Sequence, residues 1–152
     1  MSPGPRDFAS IEIGARLPSR TWTANLEDMR AFGELTPARP DDPARSNNPH
    51  LNESYASRQI YGALFVDGNH TVALACQVAT DWLPAGSLLS GHSEVDLRFP
   101  NPCRLGDTVT FGGEVVDKIS QDGRNLVVLK IQAESDKGKV IAAGTITACV
   151  PK

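Results

Sequence analysis

The sequence predicts an α+β domain in which an antiparallel sheet wraps around one long central helix. Two observations predict it. Residues 68–83 are apolar with a helical period, and from residue 88 onward apolar and polar residues alternate in four segments. Alternation with a period of two indicates half-buried strands, and short glycine-containing turns between them indicate antiparallel pairing. A helix that is apolar on most sides and the apolar face of a sheet are both buried if they pack together.

The chain begins with a segment that differs from the rest. Residues 1–10 are rich in proline and glycine and are predicted to be a flexible arm. Residues 11–152 are predicted to form one domain, since the length suits a single core. Its first strand is predicted at residues 16–23, with Leu17 and Trp22 as apolar anchors.

A helix is predicted from Asn25 to Leu35. Thr23 or Asn25 could cap its first turn, which also carries two acids. Its apolar residues recur at three-residue spacing, namely Leu26, Met29 and Phe32. Pro37 is predicted to end it, because the residue before a proline avoids the helical conformation.

Residues 37–49 are predicted to form a long loop, since they include four prolines, two aspartates and two asparagines. The segment is too poor in apolar residues to belong to a core, and a loop of this length within a compact domain is often functional. After it, Asn52 is predicted to cap a short helix that extends to Ser57.

The central helix is predicted from Gly68 to Leu83, and the residues 84–86, Pro-Ala-Gly, end it. It is apolar nearly all round, which indicates burial on most sides. The near-helical period is carried by Val72, Cys76, Ala79 and Leu83.

Four strands are predicted after the helix, at residues 88–99, 107–118, 124–134 and 140–150. The pairs Asp122-Gly123 and Lys137-Gly138 are predicted hairpin turns, because glycine readily adopts positive φ. Gly112-Gly113 is predicted to form a β-bulge.

The composition excludes several classes of function. The net charge is −3, which argues against nucleic-acid or anionic-membrane partners. The sequence contains no run of about 20 apolar residues that could cross a membrane, and its first residues do not resemble a signal peptide.

The three cysteines, Cys76, Cys103 and Cys149, lack metal-site spacing. They predict no metal site and a reducing, cytoplasmic location.

The loop at residues 46–56 and the helix start at Val66-Asp67-Gly68 resemble the MaoC-like branch of the hot-dog fold, which includes (R)-specific enoyl-CoA hydratases. The family loop reads Asp-x-Asn-Pro-(aliphatic)-His, then an acidic position, then Tyr-Ala, and its helix start reads Ala-His-Gly. Anchored on Tyr55-Ala56, the resemblance places His50 on the family histidine and Asn47 near the family asparagine. The resemblance covers residues 20–150, and the strand-turn-strand at 95–109 shares the pattern of many hot-dog proteins.

The chain departs from the family pattern at two positions. Arg45 stands at the family aspartate, and the loop is longer than usual, so that Asp42 or Asp41 could fold back into the site. Asp67 stands where the family has the histidine before the glycine.

The resemblance implies a hydratase or dehydratase that acts on an acyl thioester of coenzyme A or an acyl carrier protein, without a metal or redox cofactor. It implies His50 as general base, Asp42 as its partner, and the Gly68 N–H as oxyanion donor. The alternative to a catalytic role is that His50 only forms local hydrogen bonds within its loop and that Asp42 is a solvated loop residue. A homodimer or higher homo-oligomer is expected, because a lone sheet of this kind exposes an edge and a groove.

Asp67 supports a second hypothesis, since a carboxylate beside the histidine could serve a hot-dog thioesterase as nucleophile or base. Its other interpretation is a helix N-cap. A third hypothesis follows from Arg45 at the acid position, namely a non-catalytic subunit that binds an acyl group or supports an active partner.

The remaining candidates are amides and histidines. Asn47, Asn48 and Asn69 are candidate substrate-binding residues. The first two could equally shape the loop, and the third could satisfy the first helical turn. His70 is expected in the core or an interface, and His92 at the surface or a subunit boundary.

Overall fold

The computed structural model describes residues 4–5, 7–35 and 47–151 of the chain. The order of helices and strands agrees with the sequence prediction. In chain order they are β1 (Arg16–Thr23), α1 (Leu26–Glu34), α2 (Glu53–Ala56), α3 (Gly68–Trp82), β2 (Glu94–Arg98), β3 (Thr108–Gln121), β4 (Arg124–Ser135) and β5 (Val140–Val150).

The five strands form one antiparallel sheet in the order β1-β3-β4-β5-β2. The tight turn between β3 and β4 has Asp122 at φ 51° and Gly123 at φ 72°. Positive φ at both central residues is the geometry of a two-residue hairpin loop that matches the strand twist. Gly138, at φ 70°, serves the turn between β4 and β5. Both predicted hairpins are confirmed.

The central helix α3 packs against β1, β3, β4 and β5. Its inward face is made of small residues, and Ala75 and Ala79 are completely buried beside Val78. The sheet contributes the larger side chains of the core, including Val109, Phe111, Val115, Val127, Leu129, Ile131 and Ile146. The predicted arrangement of an antiparallel sheet around one helix is confirmed.

The helix caps follow local sequence. The Asn25 side chain accepts a hydrogen bond from the Asp28 N–H at 2.8 Å, so Asn25 is the cap of α1. Thr23, the other candidate, instead hydrogen-bonds the Thr108 hydroxyl at 3.0 Å across the sheet. Asn52 caps α2 by accepting from the Tyr55 N–H at 3.0 Å. No helix in the described part of the chain is long and apolar enough to cross a membrane.

Two local predictions were wrong. The strand expected from Leu88 begins at Glu94, because residues 84–93 form successive turns with Gly86 and Gly91 at positive φ. The expected bulge at Gly112-Gly113 is also displaced. The register shifts between Val115 and Asp117 in β3, and in β1 between Leu17 and Arg20.

Gly113 has another physical reason to be glycine. A Cβ at this position would lie 2.8 Å from the Ile131 Cδ1 and 3.3 Å from the Lys130 carbonyl oxygen. The residue therefore allows close approach of β4 rather than an extra residue in the strand.

Candidate functional site

The turn that carries His50 is shaped by Asn48. The Asn48 side-chain oxygen accepts the His50 backbone N–H at 2.8 Å, and its carbonyl accepts the N–H groups of Leu51 and Asn52. An asparagine that bonds the backbone two residues ahead is a common turn-former. The structure thus places Asn48 under the histidine, while Asn47 is exposed at the start of the same turn.

The His50 ring is oriented by a main-chain carbonyl. Its Nδ1 lies 2.9 Å from the Phe65 carbonyl oxygen, and the Phe65 ring meets the imidazole edge-on with centroids 4.6 Å apart. Because a carbonyl oxygen only accepts, Nδ1 must carry the hydrogen. In the neutral ring the lone pair is then on Nε2. His50 can accept a proton at Nε2 without changing its tautomer.

Asp67 uses its two carboxylate oxygens differently. Oδ1 accepts the Asn69 backbone N–H at 2.7 Å, which makes Asp67 the N-cap of α3. Oδ2 lies 3.8 Å from His50 Nε2, within ion-pair distance but longer than a hydrogen bond. The hydrogen-bond partner that the described residues give the His50 ring is the Phe65 carbonyl. The Asn69 side chain is exposed.

The segment 64–66, which contains Phe65, is fastened to residues 103–105. The Val66 N–H donates to the Cys103 carbonyl at 2.8 Å, and the Leu105 N–H donates to the Leu64 carbonyl at 3.4 Å. The carbonyl that orients His50 therefore belongs to a short two-stranded bridge rather than a free loop.

A buried carboxylate, that of Asp107, binds the residues 103–105 of that bridge. Asp107 accepts the Arg104 N–H at 2.8 Å and pairs with Lys137. Burial acts to raise the pKa of Asp107, but the hydrogen bonds from Lys137 and Arg104 outweigh it and hold that pKa below its ordinary value. The ionised carboxylate thus fixes the turn that precedes β3.

Gly68, the first residue of α3, lines a cavity of about 140 Å³. The other lining residues are Tyr61, Phe65, Val66, Thr71, Phe99, Asn101, Pro102, Cys103 and Ile141. A Cβ on Gly68 would lie 3.8 Å from the Phe99 ring, an ordinary contact. Among the described residues, no acceptor takes the Gly68 N–H, whereas the next N–H is capped by Asp67. A free N–H at a helix N-terminus is suited to a developing negative charge.

The other candidates lie elsewhere. His70 is buried in the core and stacks on Phe32 with ring centroids 4.5 Å apart, while Trp22 packs against it at 4.9 Å. Burial lowers the pKa of His70, against the attraction of Asp28 and Asp67. His92 is exposed just before β2.

Asp42, Asp41 and Arg45 lie outside the described residues. Within residues 4–5, 7–35 and 47–151, no group of three or more histidine, cysteine or acidic side chains could hold a metal ion.

Sequence reasoning missed the aromatic side of this site. Tyr61 packs edge-on against Phe65 with ring centroids 4.8 Å apart. Phe99, the residue after the end of β2, lines the same cavity. The four-residue spacing of the two aromatic residues, just before the helix start, was the one local signal. The position of Phe99 depends on sheet pairing and has no local signal.

Comparison with protein-family models and with curated proteins finds no match. Solved structures do match over nearly the whole chain. The (R)-hydratase PhaJ1 from Pseudomonas aeruginosa is 21% identical with a TM-score of 0.74, covering 97% of this chain and 86% of that one. A monoamine oxidase regulatory protein from Archaeoglobus fulgidus is 24% identical with a TM-score of 0.77, covering 100% and 98%.

A (3R)-hydroxyacyl-ACP dehydratase complex, HadBC, from Mycobacterium tuberculosis is 18% identical with a TM-score of 0.67, covering 91% and 96%. Structures described as MaoC-like dehydratases also match. The chain therefore has the hot-dog fold, as the resemblance implied.

Proposed function

We propose that the chain is a hydratase or dehydratase of an acyl thioester carried by coenzyme A or an acyl carrier protein, with His50 as its general base. One observation carries the proposal. The hydrogen bond from Nδ1 to the Phe65 carbonyl leaves Nε2 as the proton acceptor, beside the N-terminus of α3. The matched hydratase and dehydratase structures support the reaction class.

In the hydration direction, His50 Nε2 removes a proton from water while the water oxygen bonds to C3 of the enoyl thioester. The C2–C3 π electrons move toward the carbonyl, and the Gly68 N–H stabilises the enolate oxygen. A proton delivered to C2, for which Asp42 is the candidate donor, completes the addition of water, and return of the proton from His50 to Asp42 restores both groups. Dehydration is the same sequence in reverse. No electrons are gained or lost, so the reaction requires no redox cofactor.

The second candidate is a thioesterase, favoured by the 3.8 Å distance between Asp67 Oδ2 and His50 Nε2. There the carboxylate would activate water to attack the thioester carbonyl, or attack it directly to form an anhydride that water then hydrolyses. In both routes the thiolate leaves and takes up a proton that comes from water. The remaining alternative is a non-catalytic subunit, because Arg45 stands at the family acid position. Turnover by the purified chain alone would exclude it.

The proposal includes self-association. The outer strands of the sheet are β1 and β2, and β2 has only β5 as a neighbour among the described residues. An uncovered strand edge is a template for pairing with another chain. A homodimer or higher homo-oligomer would cover it.

The decisive experiment follows two signals from purified protein and crotonyl-CoA, namely loss of the enoyl-thioester absorbance and release of free thiol. Hydration gives the first without the second. The variant His50→Ala should lower kcat by about 10²–10⁴-fold, as for loss of a general base. Its free energy of unfolding should fall by only about 1 kcal/mol, the value of one hydrogen bond.

His92→Ala is the matched control, because that histidine is exposed and does not line the cavity beside Gly68. It should keep wild-type kcat. Turnover that survives in His50→Ala would remove the histidine from the mechanism.

A further inference from the structure

The short bridge between Phe65 and Arg104 leaves the main-chain groups of both residues pointing outward. The hydrogen bonds of this antiparallel bridge join the flanking residues of the segments 64–66 and 103–105. Phe65 and Arg104 are therefore a non-hydrogen-bonded pair, and in such a pair the N–H and C=O groups of each residue point away from the partner strand.

Both outward sides of the pair are occupied by a functional candidate or a charged side chain. The Phe65 carbonyl accepts the His50 Nδ1–H at 2.9 Å. On the other side, the Arg104 N–H donates to the Asp107 carboxylate at 2.8 Å, and the Arg104 carbonyl accepts the Asp107 N–H at 3.0 Å. His50 and Asp107 thus bind opposite sides of one bridge, so a shift of the bridge moves the acceptor of the His50 ring.

Asp107 is held in place independently of the bridge. Its side chain is only 6% exposed. Its carbonyl accepts the Ala24 N–H at 2.9 Å, and the preceding Gly106 donates its N–H to the Ala24 carbonyl at 2.8 Å. Ala24 belongs to the core. Asp107 is therefore a fixed anchor, and its carboxylate restrains the Arg104 N–H.

The charge on that carboxylate is balanced by Lys137, in the turn between β4 and β5. The Lys137 ammonium pairs with Oδ1 of Asp107, while Oδ2 accepts the Arg104 N–H. The hydrogen bond to Asp107 raises the pKa of Lys137, so the ammonium keeps its charge at neutral pH. A buried carboxylate without its cation is costly and tends to become protonated or to turn toward water. In both cases the Arg104 N–H would lose a charge-assisted hydrogen bond.

We infer that Lys137 and Asp107 are positioning residues for His50, because their ion pair holds the bridge that presents the Phe65 carbonyl to Nδ1. When the ion pair is broken, that carbonyl is no longer fixed, and the hydrogen of the neutral ring moves to Nε2 in a fraction of the molecules. Those molecules cannot accept a proton at Nε2. The effect on catalysis rests on the proposed function, whereas the effect on the tautomer does not.

The first test measures the tautomer directly. Long-range ¹H–¹⁵N spectra of the histidine rings at about pH 8.5, where an ordinary imidazole is neutral, distinguish Nδ1–H from Nε2–H. The His50 signals are those lost in His50→Ala. The wild-type protein and Lys137→Arg, which keeps the cation, should show the Nδ1–H form, whereas Lys137→Met should shift toward the Nε2–H form. Lys139→Met is the matched control, because Lys139 is exposed in the same turn and forms no ion pair with the described residues.

The second test measures kcat and KM with crotonyl-CoA. Lys137→Met should lower kcat by about tenfold and change KM by less than about twofold, because a small displacement of the base slows the reaction without removing a substrate contact. Lys137→Arg should keep kcat within about threefold of wild type. In an Asp107→Asn background, Lys137→Met should change kcat by less than about twofold, because no carboxylate remains for the ammonium to hold. That comparison leaves no buried charge unpaired, so it remains possible if Lys137→Met alone does not fold.

The outcomes separate this inference from the proposed function. If Lys137→Met shifts the His50 tautomer but the wild-type protein hydrates no enoyl thioester, the positioning role stands and the hydratase proposal fails. An unshifted His50 spectrum in Lys137→Met would overturn the inference, as would equal effects of Lys137→Met and Lys139→Met. A loss of kcat of about tenfold that persists in the Asp107→Asn background would also overturn it, because Lys137 would then act by another route.

Discussion

Asp67 is the residue at which the two enzymatic hypotheses differ most. Its Oδ1 caps α3 through the Asn69 N–H at 2.7 Å, and its Oδ2 lies 3.8 Å from His50 Nε2. Asparagine has one side-chain oxygen and no charge. The variant Asp67→Asn can therefore keep the cap while it removes the carboxylate, and Asp67→Ala removes both.

The expected effects on stability follow from these contacts. Loss of a helix cap costs about 1 kcal/mol, so Asp67→Ala should lower the Tm by about 2–4 °C for a chain of this length. In Asp67→Asn the cap remains, and the lost charge is 37% exposed. Its attraction to the helix N-terminus and to His50 is screened by solvent, so the expected cost is below about 0.5 kcal/mol.

The expected effects on activity separate the mechanisms. If the protein is a hydratase, Asp67 is mainly a cap. Asp67→Asn should then retain most of the wild-type hydration rate, measured as the rate at which the enoyl-thioester absorbance falls. If it is a thioesterase, the same variant should abolish thiol release from an acyl-CoA. Thermal unfolding and both activity signals are measured on wild type and the two variants in the same buffer.

Two results would refute this reasoning. An Asp67→Ala protein that melts at the wild-type temperature would show that the cap contributes nothing. A loss of hydration of about 100-fold or more in Asp67→Asn, with the Tm intact, would show that the carboxylate takes part in water addition and is not only a cap.

Two further predictions concern pH. Burial places the pKa of His70 below its ordinary value of 6.5, so the unfolded chain binds the proton more readily and the free energy of unfolding should fall as the pH drops below 6.5. His70→Phe, which can retain the stacking on Phe32, should lessen that decline in urea unfolding between pH 7 and pH 5, and an unchanged decline would contradict the assignment. The hydrogen bonds of Asp107 hold its folded pKa below 3.8, so its stabilisation is present above that pH and is lost as the pH falls through the folded value. Asp107→Asn should cost about 1.5–3 kcal/mol at pH 7, and its deficit relative to wild type should shrink between pH 5 and pH 2. A deficit independent of pH would show that the charge is not responsible.

Elements with local signals were predictable from sequence. The bounds of β1 and β5, the caps at Asn25 and Asn52, and the hairpin at Asp122-Gly123 all follow from residues within a few positions of each other. The start of β2 was not predictable in this way. The apolar residues that precede it, Leu88 and Leu89, have the composition of a strand, yet the positive φ of the flanking glycines turns the chain instead.

For the site, the sequence by itself determined the chemical groups and their local settings. It placed His50 in a turn-rich loop and Asp67 immediately before a buried helix, where a short acidic side chain caps the first free N–H groups. The tertiary structure alone decided how these groups face each other. The acceptor for His50 Nδ1 is a main-chain carbonyl 15 residues away, and it is positioned by a bridge to residues 103–105. Because every residue carries such a carbonyl, no residue type identifies which one will accept, and only the packing of distant segments selects it.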